Sequence, residues 1–307
     1  MFKRILIANR GEIAVRVIRA CQELGIEAVA IYSDADKNAL HVQLADLTYR
    51  VGPADATESY LNKEAVLEAA IKTKSEAIHP GYGFLSEDAD FAEMVTNAGI
   101  VWIGPMPETL RLVGDKDAAR AAMAPSGIPM SKGSAPLEDN EMALKAAAEV
   151  GYPVILKPVS GGGGKGMFVA HSEEDLKNIL QLVDLKKVVH YFEHYIEHSR
   201  HIEAQILADN YGTVLFLGER ECSLQRRNQK LLEESPSVAL TEEMRREIGR
   251  LAIKAAKSVH YSNAGTVEFL LDLADNKFYF MEINPRVQVE HAITEAVTGV
   301  DIVRRQI

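Results

Sequence analysis

The sequence predicts an α/β protein in which a parallel-sheet unit is followed by a compact α+β unit. Three observations carry this expectation. Short apolar runs alternate with helical patterns over the first third of the chain, Pro125 to Pro136 is rich in Pro, Gly and Ser, and beyond it strand-like runs follow one another closely. Strands separated by helices pair in parallel, whereas consecutive strands form hairpins.

Ile5 to Ala8 reads as a buried strand and Asn9-Arg10-Gly11 as a turn. Ile13, Val17, Ala20, Cys21 and Leu24 then recur at helical spacing until Gly25 stops the helix. Ala28 to Tyr32 is a second strand. A helix over Lys63 to Lys72, a strand at Ala77 to His79, a helix over Asp88 to Asn97 and a strand at Ile100 to Ile103 repeat the alternation. The first turn has one glycine where a dinucleotide-binding fingerprint needs three. Gly114-Asp115-Lys116 opens a further helix, and a boundary falls between about 114 and 135. Beyond it Val154 to Lys157 is a strand, Ser160 to Gly166 a glycine-rich loop and Met167 to Ala170 a strand. Ser172 caps a helix bearing Leu176, Ile179, Leu180 and Val183. Val188 to Ile196, Ile202 to Leu207 and Thr213 to Leu217 are strand-like. A long helix spans Thr241 to Val259, with Glu242 and Glu243 at its positive end. Thr266 to Leu273 and Phe278 to Ile283 form a hairpin about Asp275.

At 307 residues the chain has the length of roughly two domains. A net charge of −10 repels a phosphate backbone, so no nucleic-acid partner is expected and any anion must be held by a local cluster. Two cysteines, Cys21 and Cys222, cannot form a disulfide framework and suit a reducing compartment, with cytoplasm the expected location. No apolar run approaches the roughly 20 residues of a membrane span. Arg304-Arg305-Gln306-Ile307 lies in a helical pattern without a stop signal, so the chain is expected to be a fragment.

Several residues can carry chemistry. Gly161, Gly163 and Gly166 satisfy G-x-G-x-x-G, but a strand follows, unlike a Rossmann turn, and Val159 with Gly166 breaks the Walker A pattern. A glycine hairpin between strands can fold over a triphosphate through its backbone N–H groups, and is equally a flexible linker. Lys157 ends an apolar strand, where an ammonium either needs an anionic partner or snorkels to solvent. If the hairpin turns about Asp275, Glu268 faces Glu282. Both stand among apolar neighbours, and a hard divalent ion such as Mg²⁺ relieves their repulsion. A solvated pair, or a register slipped by one residue, is the alternative.

Strict alternation then places Glu282, Asn284, Arg286, Gln288 and Glu290 on one face, with Ile283, Pro285, Val287 and Val289 on the other. An arginine and a glutamate four residues apart can orient a small oxyanion and remove its proton, although a solvated face has similar composition. Arg220, Arg226, Arg227 and Lys230 offer further positive charge, or form an ordinary surface patch. Cys222 reads as packing, because no activating base accompanies it.

The motifs Lys3-Arg4-Ile5 through Asn9-Arg10-Gly11-Glu12-Ile13-Ala14, His79-Pro80-Gly81-Tyr82-Gly83-Phe84-Leu85, Gly114-Asp115-Lys116, Glu221-Cys222-Ser223 with Gln225-Arg226-Arg227, and Arg286-Val287-Gln288-Val289-Glu290-His291 resemble, in order, those of the biotin carboxylases of the ATP-grasp superfamily. The resemblance covers essentially the whole chain. It implies a Rossmann-like, pre-ATP-grasp N-terminal domain at 1–114 and an ATP-grasp domain at 115–307, with a lid at about 132–203 and a C-terminal domain missing. It implies that Mg-ATP (or Mn-ATP) phosphorylates bicarbonate to carboxyphosphate, whose carbon dioxide passes to N1 of carrier-bound biotin.

By the same resemblance Lys116 and Lys157 contact ATP phosphates beneath the glycines, among them Gly163 and Gly164. Glu193, His194, Tyr195 and Ile196 meet adenine, and His201, Gln225 and Asn228 lie near the ribose. Glu268, Glu282 and Asn284 hold the metal. Lys230, Arg286, Gln288 and Val289 bind bicarbonate, and Glu290 is the base, so that Arg286, Glu290 and Lys230 form the catalytic set. The implied partners are a biotin carboxyl carrier protein or domain, a carboxyltransferase subunit and, at full length, a second copy of the chain, within a pyruvate or acetyl/propionyl-CoA carboxylase. His194 stands where the family usually has lysine, and Asn228 where it often has histidine. The alternatives are another ATP-grasp ligase forming an acyl or carbamoyl phosphate, and a non-catalytic ATP-binding module.

Overall fold

A computed structural model describes residues 1–159, 166–226 and 229–307. The expectations for Gly163, Gly164, Arg227 and Asn228 fall outside the described residues.

The first unit runs β1 (Arg4–Ile7), α1 (Gly11–Glu23), β2 (Glu27–Ser33), α2 (Leu40–Leu44), β3 (Leu47–Gly52), α3 (Lys63–Thr73), β4 (Ala77–His79), α4 (Ala89–Asn97) and β5 (Val101–Trp102). Its strands form a parallel sheet of order β3-β2-β1-β4-β5, as the alternation predicts. The central strands are continuously apolar because helices cover both faces. Ile5 and Ile7 pack with Ile13, Val17 and Ile18 of α1, while Leu6 packs on the other side with Val66 and Phe91. The edge strand β3 was not anticipated. Its Leu47, Thr48 and Arg50 are exposed, which leaves no apolar run to read.

After α5 (Pro107–Gly114), helix α6 (Lys116–Met123) starts where expected, its cap Asp115 accepting from the backbone N–H of Asp117 and Ala118. A small antiparallel sheet of order β7-β6-β8 follows, built from β6 (Val154–Pro158), β7 (Phe168–Ala170) and β8 (His190–His194). Helices α7 (Asn140–Val150) and α8 (Glu173–Leu180) close its core, with Ala143, Ala147 and Leu176 in one cluster with Phe192 of β8. Helix α8 ends before Val183, contrary to expectation.

The larger sheet is antiparallel in order β11-β10-β9-β12-β13. Its strands are β9 (Ser199–Ala208), β10 (Val214–Arg226), β11 (Gln229–Glu234), β12 (Asn263–Asp272) and β13 (Lys277–Asn284). One face is apolar, with Ile202, Ala204, Ile206, Val267 and Phe269 packed on Ile248, Ala252 and Ala255 of helix α9 (Glu242–Ser258). Strand β10 runs well beyond Leu217, because Glu219 to Glu221 are buried and pair with β9.

The β12–β13 hairpin has the predicted facing pair. Glu268 is opposite Glu282, Val267 opposite Ile283 and Thr266 opposite Asn284. Toward the turn the register changes, with Phe269 opposite Phe280 and Asp272 opposite Lys277, so Met281 is an extra residue on β13. Counting from the turn alone would set Met281 against Glu268; the bulge is what brings Glu282 there.

The alternation read through residue 290 is corrected. Strand β13 stops at Asn284, an irregular segment and a turn follow, and helices α10 (His291–Thr298) and α11 (Ile302–Gln306) complete the chain. Pro285 has no N–H to continue a ladder. Val287 is buried as expected, but Val289 is 63% exposed. Among the described residues no helix is long and apolar enough to cross a membrane.

Strand β12 accepts only glycine at 265 without rearrangement. A Cβ there would stand 2.1 Å from the Tyr261 hydroxyl oxygen, which donates to the Ala264 carbonyl. Gly265→Ala is expected to destabilise by about 1–3 kcal/mol, read as a lower urea midpoint at unchanged slope. An unchanged midpoint would show that Tyr261 can move aside freely.

Candidate active site

The polar face of the large sheet carries a row of charges across four strands. Arg220 of β10 pairs with Glu203 of β9, Glu203 with Glu268 of β12, and Glu268 with Glu282 of β13. Residues directly opposite in antiparallel strands share a face. Three carboxylates therefore stand abreast, with a guanidinium at one end. Glu203 and Arg220 are completely buried, and Glu268 is nearly so.

Arg220 uses its planar fork fully. It donates to Glu203 Oε2 at 3.0 and 3.1 Å, Gln205 Oε1 at 2.6 Å, Thr266 Oγ1 at 3.0 Å, Thr294 Oγ1 at 2.9 Å and Gln288 Oε1 at 2.7 Å. Burial, with the neighbouring Glu268 charge, still pushes the Glu203 carboxyl up to about 7. Burial also raises Glu268, but His201 at 2.7 Å and Lys230 outweigh it and hold the Glu268 carboxyl below its usual range. Glu282 is raised by burial and by Glu268, with Lys116 at 3.7 Å as its opposing charge. Asn284 donates to Glu268 Oε1 at 2.6 Å.

Lys230 of β11 reaches over this row. It bonds Glu203 and lies 3.4 Å from Glu268 Oε1 and 2.6 Å from Glu290 Oε1. Burial opposes its charge, but the three carboxylates overcome that and raise its pKa. In return Lys230 keeps the Glu290 carboxyl below its ordinary value despite burial. Gln288, at the start of the turn, donates to Glu268 Oε1 at 3.1 Å. Arg286 turns toward the first unit, its Nε 2.5 Å from Glu87 Oε1.

A cleft of about 650 Å³ lies between the small and large sheets and gathers most of the expected residues. Lys157, Glu193, His194, Tyr195 and Ile196 line the small-sheet side; His201, Gln225, Lys230, Glu268, Glu282, Asn284, Arg286 and Gln288 line the other, with Lys116. The anionic partner of Lys157 is Glu193, at 2.7 Å, and Arg120 stands 3.7 Å from the same carboxylate. Gln225 Nε2 is 2.9 Å from His201 Nδ1, on the side opposite Glu268. Glu290 lies behind Lys230, and the Val289 side chain points to solvent instead of lining the cleft.

The basic-cluster reading also needs correction. Arg220 is a buried structural cation, whereas Arg226 is exposed. Cys222 is buried and its thiol pushed up chiefly by burial, in keeping with packing. Sequence reasoning missed Glu203, Gln205 and Glu87. No local signal marks the first two: Ile202-Glu203-Ala204-Gln205-Ile206 alternates as a half-solvated strand does, and only the assembled fold buries all five.

Such a pair of sheets around a cleft floored by opposed carboxylates defines an ATP-grasp protein. A family model described as "Biotin carboxylase, N-terminal domain" matches residues 1–110, and one described as "Carbamoyl-phosphate synthase L chain, ATP binding domain" matches 115–307. The chain is 52% identical to Biotin carboxylase 1 of Bacillus subtilis, covering 100% of this chain and 70% of that protein. The crystal structure of a biotin carboxylase–β,γ-ATP complex from Campylobacter jejuni superposes with a TM-score of 0.93 at 46% identity, covering 100% of this chain and 70% of that one. The biotin carboxylase domain dimer of Hydrogenobacter thermophilus 2-oxoglutarate carboxylase, in complex with MgADP, ADP and bicarbonate, gives 0.91 at 47% identity, with 100% and 69% covered. The chain belongs to the biotin carboxylase family of ATP-dependent ligases.

Removal of Arg220 would leave a buried carboxylate without its main counter-charge. Arg220→Met is expected to destabilise by about 3–5 kcal/mol in urea unfolding, and Arg220→Lys to recover little, because one ammonium cannot reach the five partners. Full recovery by lysine would show that charge alone matters there.

Proposed function

We propose that the chain carries out the ATP-dependent carboxylation of biotin, with bicarbonate activated in the cleft. The observation that carries this reading is the meeting of Glu290, Lys230 and Gln288 at the edge of the carboxylate row. Opposed Glu268 and Glu282, beside Asn284, form a hard oxygen donor set whose mutual repulsion a divalent cation relieves. They fit Mg²⁺ or Mn²⁺, which when bound neutralises phosphate charge. Lys116 and Lys157 bind the ATP phosphates, with Gly163 and Gly164. Glu193 to Ile196 hold adenine, and His201, Gln225 and Asn228 the ribose side.

The side chains of Lys230, Arg286 and Gln288 orient bicarbonate, and Val289, whose side chain faces solvent, contributes only through its backbone. Glu290, kept ionised by Lys230, takes its proton as an oxygen attacks the γ-phosphorus and ADP leaves, forming carboxyphosphate. Carboxyphosphate breaks to carbon dioxide and phosphate, the phosphate accepts the N1 proton of biotin, and N1 attacks the carbon dioxide. The bound state of the Hydrogenobacter relative supports the nucleotide, magnesium and bicarbonate parts of this reading. On the same reading 1–114 is the N-terminal domain, 115–307 the ATP-grasp domain and about 132–203 its lid. Biotin arrives on a carrier protein or domain, a carboxyltransferase takes the carboxyl group onward, and a second copy of the chain completes a dimer. Buried free Cys21 and Cys222 suit the reducing cytoplasm.

Phosphate release from Mg-ATP, measured with and without bicarbonate and biotin, tests the proposal. Bicarbonate-dependent release raised by biotin is expected; ATP binding without release would instead mark a nucleotide-binding module. Glu290→Gln should spare ATP binding and lower bicarbonate-dependent turnover by about 10²- to 10⁴-fold. Unchanged turnover would remove Glu290 from the mechanism.

A further inference from the structure

Behind the turn that presents Glu290 lies a buried polar cluster drawn from three parts of the chain. His79 ends β4, His291 starts α10 and Gln306 ends α11. Each is more than nine-tenths buried, and each has a polar atom without a hydrogen-bond partner: His79 Nε2, His291 Nε2 and Gln306 Oε1. Burial is the main influence on the His79 ring and lowers its pKa to about 4, and Gln306, Arg16 and His291 are near enough to act on it as well.

The remaining bonds determine what each orphan atom offers. The Gly81 N–H donates to His79 Nδ1 at 3.0 Å, so the neutral ring carries its proton on Nε2. His291 Nδ1 lies 2.7 Å from the Gln288 carbonyl, which can only accept. Nδ1 therefore donates, and in the neutral tautomer this leaves Nε2 as an acceptor. Gln306 spends its amide N–H on Asn263 Oδ1 at 2.9 Å, leaving Oε1 as an acceptor. The three unpartnered atoms thus comprise one donor and two acceptors, complementary roles that a buried bridging water would satisfy.

His291 also closes the turn itself. Its side chain and its backbone N–H both bond the Gln288 carbonyl, at 2.7 and 3.2 Å, and Glu290 sits inside that loop with its carboxylate on Lys230. The side chain of Gln288 is meanwhile held by Arg220 and Glu268. We infer that His291 is a positioning residue for Glu290, and that His79 and Gln306 lock the His291 ring in place from the N-terminal sheet and the last helix. This rests on the function proposed above.

The test uses the full chain and two readouts. Nitrogen NMR of ¹⁵N-histidine protein near neutral pH should show His291 protonated on Nδ1 and His79 on Nε2. His79→Asn keeps an acceptor for the Gly81 N–H but lacks the Nε2 donor, and should shift the His291 signals. In kinetics, His291→Ala should lower bicarbonate-dependent kcat by on the order of 10- to 100-fold while the KM for Mg-ATP stays within about twofold. His291→Asn, whose amide can still donate to the Gln288 carbonyl, should recover most of the loss. The opposite tautomer of either ring overturns the inference. So does an equal loss in the Ala and Asn variants, or a rise in KM for ATP that matches the fall in kcat. Wild-type protein without bicarbonate-dependent turnover would defeat the proposed function instead, and the tautomers would still decide the lock.

Discussion

Three carboxylates abreast on a buried sheet face are the constraint around which the second unit is built. Like charges at cross-strand distance repel, and burial removes the water that would screen them. The compensation is graded along the row. Arg220 and Lys230 meet Glu203 at the inner end, and His201 with Lys230 meets Glu268 in the middle. Among the described residues Glu282, at the outer, half-exposed end, has Lys116 at 3.7 Å as its one ion-pair partner. The unmet demand for positive charge therefore falls between Glu268 and Glu282, on the side that opens into the cleft.

That gradient depends on the two faces of one sheet being kept apart. Period-two alternation sends Ile202, Ala204 and Ile206 toward α9 and leaves Glu203 and Gln205 on the opposite face, where Arg220 and α10 cover them. A slip of one residue in β9 would bury Glu203 against α9 and lift its isoleucines into the charge network. The hydrophobic contacts with α9 thus set the register that the charges require. The Met281 bulge performs the corresponding service for β13, because the tight turn alone would leave Glu282 one place too far along.

The legibility of this arrangement from sequence follows how local each determinant is. The N-terminal alternation rests on short spacings and turn residues and could be read directly, whereas the Glu268–Glu282 pairing, reached by counting about Asp275, is produced by the Met281 bulge that no local signal announces. Glu203 was not readable, because it alternates with apolar residues as a solvated strand face would, and it is buried only once Arg220 and α10 cover that face. Nor was the burial of Arg220, because its partners Glu203, Thr266, Gln288 and Thr294 converge only after β9, β10, β12 and α10 have assembled. The segment after Asn284 misled for a related reason. Its alternating pattern suits a strand, but Pro285 ends the ladder and the polar residues are then gathered by Arg220, Lys230 and Glu87. Glu282, Asn284, Arg286 and Gln288 still line one cleft although the local structure was wrong.

The N-terminal sheet gains its meaning from the same site. In strand order β3-β2-β1-β4-β5 the connections diverge between β1 and β4, where a doubly wound sheet opens a crevice at the carboxyl ends of its strands. Here the chain fills that crevice itself. Asn9, just after β1, donates from its side-chain amide to the carbonyls of Pro80 and Tyr82 at 2.8 and 2.7 Å, stitching the two loops together. Gly81 lies so close that a Cβ would come within 3.0 Å of Asn9 and Ile13, and its positive φ also favours glycine. The closed loops then face outward as a block: Tyr82 bonds Glu12, Glu87 meets Arg286, and Arg16 of α1 grips Glu295 and Asp301 beyond the turn that carries Glu290. A topology suited to cradling a dinucleotide is converted into a wall, and the wall supplies one side of a site whose charges come from the other sheet.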